Sequence, residues 1–226
     1  ITLTWLSHAS WLIETKSHKI LLDPFFEGNP KAKHTAADFA DVSYVIVSHG
    51  HADHTGDVAA VLEKSNAQLI ANYEIAEWYG KHHGISNSVG MNIGGSYGIT
   101  DGTLKMVPAI HSSSLPDGSY AGMPAGFVLR VADRSTYFAC DTAFYSDMRY
   151  YAGRVDVAIV PIGDLFTMGV HDSVEAIKQI APRIALPSHY DTWPPIEQDA
   201  EHWATLIRSE TDTRPVVLSI GEAFQL

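Results

Sequence analysis

The sequence predicts an α/β protein in which two β-rich halves pack sheet on sheet with helices outside. Three observations lead there. Short β-branched or alternating apolar runs recur along all 226 residues. Each half opens with strands and then alternates strands with helices. No stretch rich in Pro, Gly or Ser separates the halves, so residues 1–226 read as one domain. The duplication is one of pattern, since no internal sequence repeat accompanies it.

In order, residues 2–6, 11–14 and 20–23 read as short strands, and 42–47 as a strongly β-branched buried strand. Residues 55–64 have helical spacing, with Val58, Val61 and Leu62 on one face. A strand at 68–71 precedes a helix at 73–79 that Gly80 would end. Strands resume near Val89, most clearly at 104–107, 127–131 and 136–139, then at 155–160 and 184–186. Helices are expected near 144–151, 173–180 and 199–209, and a strand at 216–220 near the end.

A composition of 46% hydrophobic and 18% charged residues is that of an ordinary water-soluble globular protein. A net charge of −11 repels phosphate backbones and anionic bilayers, so neither nucleic acid nor membrane is expected as a partner. Two bound divalent ions would change −11 to −7 and focus positive charge at one place, leaving room for a small anionic substrate. Cys140 is the only cysteine and no signal peptide is visible, which points to a reducing, cytoplasmic setting. The start at Ile1 leaves room for a removed leader. No apolar run approaches the roughly 20 residues needed to span a bilayer.

The chemistry concentrates in Ser48-His49-Gly50-His51-Ala52-Asp53-His54, directly after the apolar run Tyr44-Val45-Ile46-Val47. Imidazole and carboxylate bind zinc and similar ions. His49 and His51, two residues apart, can point the same way on an extended backbone and chelate one ion. Asp53 and His54 lie further on, where they can turn toward a second. Three more ligand types recur just past strand ends: His111, Asp141 and His189. Strand ends in layered α/β folds converge on one edge, where sites are built.

These segments resemble the metallo-β-lactamase superfamily, and within it a family of metal-dependent hydrolases similar to the ascorbate-6-phosphate lactonase group. The likeness also takes in Trp5-Leu6-Ser7-His8-Ala9, Leu22-Asp23-Pro24-Phe25, Cys140-Asp141-Thr142 and Pro161-Ile162-Gly163-Asp164, in order along nearly the whole chain. The resemblance implies a four-layer αββα sandwich with two metals at one edge: zinc first, manganese or iron as alternatives. It assigns His49, His51 and His111 to one metal and Asp53, His54 and His189 to the other, with Asp141 bridging. The chain departs from the family pattern at Ser7 and Cys140, where glycine is usual, at Phe138, where histidine is common, and at His171.

The expected chemistry is hydrolysis of a small-molecule substrate by a hydroxide shared between two metals. A phosphodiester is favoured, or a cyclic ester such as a lactone. Asp53 is expected to serve catalysis as well as metal binding. His8 could face the substrate as an oxyanion donor or proton carrier, and Tyr190 could help hold an oxyanion. Trp193, Phe166 and Met168 could line a pocket. An iron redox protein of the same fold and a non-catalytic metal-binding module are the competing readings. Gly94-Gly95-Ser96-Tyr97-Gly98 matches the serine-hydrolase elbow, but a turn and another strand follow it, so the match is set aside. His18, His34 and His202 show no partner pattern, and His82-His83 read as solvated.

Overall fold

The structure is a computed structural model that describes residues 1–153 and 155–226. Among these residues the first sheet takes β1 (Thr2–Ser7), β2 (Ser10–Glu14), β3 (Lys19–Leu22), β4 (Tyr44–Ile46), β5 (Gln68–Asn72) and β6 (Ser88–Met91). The second takes β7 (Ser96–Ile99), β8 (Gly102–Pro108), β9 (Ala125–Val131), β10 (Arg134–Phe138), β11 (Val157–Pro161), β12 (Ile184–Ser188) and β13 (Arg214–Pro215). The last strand, β14 (Ala223–Gln225), returns to pair with β1, which gives two seven-stranded sheets.

Each sheet is mixed in the same way. β1, β2 and β3 run as an antiparallel meander, after which β4, β5 and β6 add in parallel. β7 to β10 form the matching meander, and β11, β12 and β13 add in parallel. Six helices connect the strands among the described residues: α1 (Ala52–Thr55), α2 (Val58–Lys64), α3 (Tyr73–His83), α4 (Met148–Tyr151), α5 (Val170–Ile180) and α6 (Ala200–Glu210). This is the αββα layering expected from the sequence.

Alternation of side chains across a strand sets the layers. Ile20, Leu22, Ile46 and Ile70 point into the core between the sheets, where they join Phe127, Leu129 and Ile159. Their neighbours Leu21, Val45, Leu69 and Ala71 point the other way, onto Val58, Val61 and Ile75 of α2 and α3. Both faces of the inner strands are therefore buried, which is why they read as continuous apolar runs.

Four expectations are corrected. The β-branched run 216–220 is not a strand: β13 ends at Pro215, and the chain crosses to the first sheet, where the Gly221 amide donates to the Trp5 carbonyl. Gly80 does not end α3, which runs to His83 and stops at Gly84 in the left-handed region (φ 69). A helix interior tolerates one glycine at about 1 kcal/mol, whereas the left-handed cap strongly prefers one. Only the last turn of the helix expected over 144–151 forms, because the Ala143 amide is drawn to the Ile110 carbonyl. The helix expected over 55–64 is broken at Gly56-Asp57, where the Asp57 carboxylate accepts the Phe26 and Glu27 amides. Ser96 lies in β7, so the elbow match stays set aside.

Candidate metal centre

All seven expected ligands meet at one edge of the sandwich. His49 to His54 follow β4, His111 follows β8, Asp141 follows β10 and His189 follows β12. One nitrogen from each of His49, His51 and His111 lies within 4.8 Å of the others. Asp53, His54 and His189 form a second group of the same tightness, which His8 joins. Asp141 sits between them: its Oδ2 is 3.3 Å from His54 Nε2, 3.1 Å from His189 Nε2 and 3.6 Å from His111 Nε2.

Local structure brings the loops this close. A Cβ at Gly50 would lie 2.8 Å from the Ser114 carbonyl oxygen, so a glycine there lets the loop carrying His111 pack against the histidine loop. Ser7 (φ 110), His8 (φ 51), Cys140 (φ 54) and His189 (φ 53) hold left-handed backbone at the strand ends. Strain of this kind collects at functional sites. Glycine would take such angles freely, so Ser7 and Cys140 hold them at a cost.

The residues present fit a metal. His54 Nε2, His189 Nδ1 and Nε2, and Asp141 Oδ1 are buried with no hydrogen-bond partner. Each such atom costs about 1–3 kcal/mol when left unpaired. A cation shared among them would remove that cost. Burial lowers the pKa of His49, His51 and His111, which favours the neutral imidazole a metal requires. Burial opposes charge on Asp141 too, yet His189 and His54 hold its pKa well below the usual carboxylate range. Imidazole and carboxylate donors suit zinc, manganese or iron, so the donor set does not choose among them.

Behind the ligands stands a second layer that the sequence did not reveal. Asp23, fully buried after β3, accepts the His54 Nδ1 hydrogen at 2.8 Å and the Ser48 hydroxyl at 2.6 Å. The Ser48 hydroxyl in turn lies 3.0 Å from His49 Nδ1. Partners of this kind fix which ring nitrogen faces a metal. Asp23 has the same signal as the ligands, an acidic residue just past a strand end, but its partners depend on packing. Burial, and then the nearby carboxylates of Asp23 and Asp141, push the Cys140 thiol pKa well above its usual value, as expected of an inert thiol rather than a ligand.

His8 and Tyr190 are not where a substrate-facing role would put them. His8 is 0% exposed. Its Nε2 hydrogen donates to Asp53 Oδ2 at 3.1 Å, and its Nδ1 lies 2.8 Å from the Thr192 hydroxyl. Its carbonyl accepts three donors, from Trp5 Nε1, the Ser188 hydroxyl and the His189 amide. Burial, followed by repulsion from His189, lowers its pKa to about 4, so the ring is neutral near pH 7. Tyr190 turns away from its neighbour His189 and stacks on Trp5 with ring centroids 5.0 Å apart. Met168 is a core residue at 1% exposure, while Phe166 is exposed and Trp193 half-buried. His171 is exposed in the first turn of α5. His18 has a partner after all: it is buried 3.2 Å from Asp101 at the turns away from the metal edge. His82 and His83 ride on the Trp78 ring.

A family model described as "Beta-lactamase superfamily domain" matches residues 18–190. A UPF0173 metal-dependent hydrolase of Pelotomaculum thermopropionicum is 40% identical over 229 residues, covering 99% of both chains. Igni18, a metallo hydrolase of the archaeon Ignicoccus hospitalis, superposes with a TM-score of 0.88 at 27% identity, over 100% of this chain and 98% of its own. An isothiocyanate hydrolase from Delia radicum gut bacteria shares the fold, with a TM-score of 0.78 at 18% identity over 100% and 99% of the two chains.

Proposed function

Because this chain belongs to the beta-lactamase superfamily, and within it to the UPF0173 metal-dependent hydrolases, we propose that its metal edge hydrolyses an ester bond of a small molecule with two divalent ions. One observation carries the reading: buried nitrogens and carboxylate oxygens from three loops converge without hydrogen-bond partners. His49, His51 and His111 would hold one ion, Asp53, His54 and His189 the other, and Asp141 would serve both. When bound, such ions polarise the substrate oxygen and lower the pKa of water to about 7.

The net reaction adds one water. Its oxygen bonds to the phosphorus or carbonyl carbon, the bond from that atom to the leaving oxygen breaks, and a proton goes to the leaving oxygen. Asp53 has the most solvent-open carboxylate of the cluster, with its side chain 27% exposed against 3% for Asp141. That openness supports assigning it to take up and return that proton. His8 keeps the Asp53 carboxylate oriented, and Asp23 keeps His54 oriented. A phosphodiester is the favoured substrate, with a lactone or other cyclic ester second.

The test is a turnover panel of bis-aryl phosphodiesters, phosphomonoesters, lactones and β-lactams, run with zinc and manganese separately. Hydrolysis should vanish on chelation and return with metal. Absence of turnover on every ester, or turnover indifferent to chelation, would remove the proposal.

A further inference from the structure

We infer that the end of the sandwich opposite the metal centre is a binding site for a small phosphoryl-bearing anion, gripped by Arg134, Arg183 and Arg214. The inference stands apart from the hydrolase reading, since it involves none of the metal ligands. Its origin is the parallel part of the second sheet. Asp141 and His189 follow the C-terminal ends of β10 and β12, whereas Arg134 opens β10, Arg183 precedes β12 and Arg214 opens β13. Parallel pairing puts these starts along one edge, a strand length away from the ligands. A backbone ladder fixes their spacing. The Asp156 amide donates to the Ser135 carbonyl, the Ile184 amide to the Asp156 carbonyl and the Arg214 amide to the Arg183 carbonyl, each at 3.0 Å.

The three guanidiniums line one cavity of about 220 Å³, which Phe224 of β14 and Leu226 also line. Each is held in place. Arg134 and Arg183 share the Asp156 carboxylate, at 3.6 and 3.5 Å. That carboxylate is fixed in turn by the amide and hydroxyl of Ser135. The Arg214 guanidinium lies over the Phe224 ring, 5.5 Å from its centroid. It forms no ion pair among the described residues, the terminal carboxylate at Leu226 included.

Positive charge is therefore left over at this cavity. Three guanidiniums line it with Asp156 and the Leu226 terminus. The other acids nearby face outward: Asp133, 3.8 Å from Arg134, is 84% exposed, and Asp212 lines an adjoining depression beside Arg183. Three of the chain's 15 Lys and Arg residues thus meet at one place on a protein of net charge −11. Guanidiniums that share a cavity repel one another, and an anion among them removes that cost.

Geometry and size select the anion. Arginine's planar fork of donors matches phosphate and carboxylate oxygens bidentately. A planar carboxylate is satisfied by a single fork, whereas a phosphoryl group offers oxygens to forks arriving from three strands. The volume falls below the about 300 Å³ at which pockets for drug-sized ligands begin. The cavity therefore fits the phosphoryl group itself, either as a free inorganic anion or as the end of a larger molecule that extends into solvent.

Isothermal calorimetry at fixed ionic strength tests this with orthophosphate, diphosphate, adenosine monophosphate and acetate, on the metal-loaded protein and again after chelation. Diphosphate should bind with a Kd below about 1 mM, and acetate at least about tenfold more weakly. Arg183→Gln and Arg214→Gln should each weaken diphosphate by at least about tenfold. Arg214→Lys keeps the charge without the fork and should recover only part of that loss. Arg208→Gln removes the same charge from the exposed face of α6 and should change nothing. Arg183 is 74% exposed and Arg214 is exposed too, so these changes spare the core. Adenosine monophosphate binding tighter than orthophosphate assigns the phosphoryl group to a larger molecule, and the reverse order to a free anion; both keep the site. Absence of diphosphate binding, undiminished binding by Arg214→Gln, or binding that disappears on chelation would overturn the inference. Each of these results would leave the hydrolase reading untouched.

Discussion

The two halves of the ligand cluster are built to different standards. Asp53, His54 and His189 each have a close neighbour behind them: His54 has Asp23, Asp53 has His8, and His189 has the His8 ring at 4.0 Å. His49, His51 and His111 are thinly supported. His49 reaches Asp23 only through Ser48, His51 has the Ser112 hydroxyl at 3.4 Å, and the His111 side chain is 13% exposed. A braced half beside a lightly held half suits one ion that stays and one that exchanges more readily. Orienting partners govern affinity as much as the ligands themselves do.

The comparison breaks most completely at Asp141, whose carboxylate lies within reach of ligands from both halves. Asp141→Ala should empty both positions and lower kcat/KM by about 10³-fold or more, several kcal/mol of barrier. Metal content after gel filtration checks it. Retention of one ion per chain would show that the halves do not depend on a shared carboxylate.

Chelation should take the halves apart in order. Titration with a chelator should release one ion per chain early, with activity falling alongside it, and a second only at about 10–100-fold higher chelator. Metal analysis along the titration reads both steps. Simultaneous release would mean that the difference in bracing has no energetic consequence.

The ligands were legible in the sequence, and much of their support was not, for a physical reason. Each ligand follows a strand, and strand ends converge whatever the details of packing, so position along the chain was enough. The partners of His8 and Asp23 depend on how the two sheets sit on each other. His8 follows β1, yet it is fixed by Ser188 at the end of β12 in the other sheet and by Thr192 in the loop after it, some 180 residues away. The His18–Asp101 pair is hidden in the same way, since its members lie on turns of opposite sheets. The run 216–220 misled because β-propensity cannot report whether a partner strand is available. Gly80 misled because what stops α3 is the backbone conformation four residues further on, at Gly84.

His8 sharpens the comparison next. His8→Ala removes the donor to Asp53 and the ring against His189, and touches nothing in the other half. The expected result is a loss of about 10–100-fold in affinity for the tighter ion with the weaker one unchanged, read by competition against a chelator of known strength. His8→Gln can still donate to Asp53 and should recover part of the loss. An equal fall at both positions would show that His8 merely supports the fold.

The smallest effect lies at the seam between the halves. Cys140 precedes Asp141 and sits at φ 54, where a non-glycine residue costs roughly 1–2 kcal/mol. Cys140→Gly relieves that strain but gives the unfolded chain about 0.4–1 kcal/mol more entropy and gives up the packing of the thiol. The balance is a gain of at most about 1 kcal/mol, or a rise of about 2–4 °C in Tm for a chain of this length. Because burial, and then the carboxylates of Asp23 and Asp141, oppose a thiolate, metal content should stay the same in the variant. Calorimetry and metal analysis on one preparation check both statements. A glycine variant that lost an ion would make the thiol a ligand, and the seam would then belong to the metal site itself.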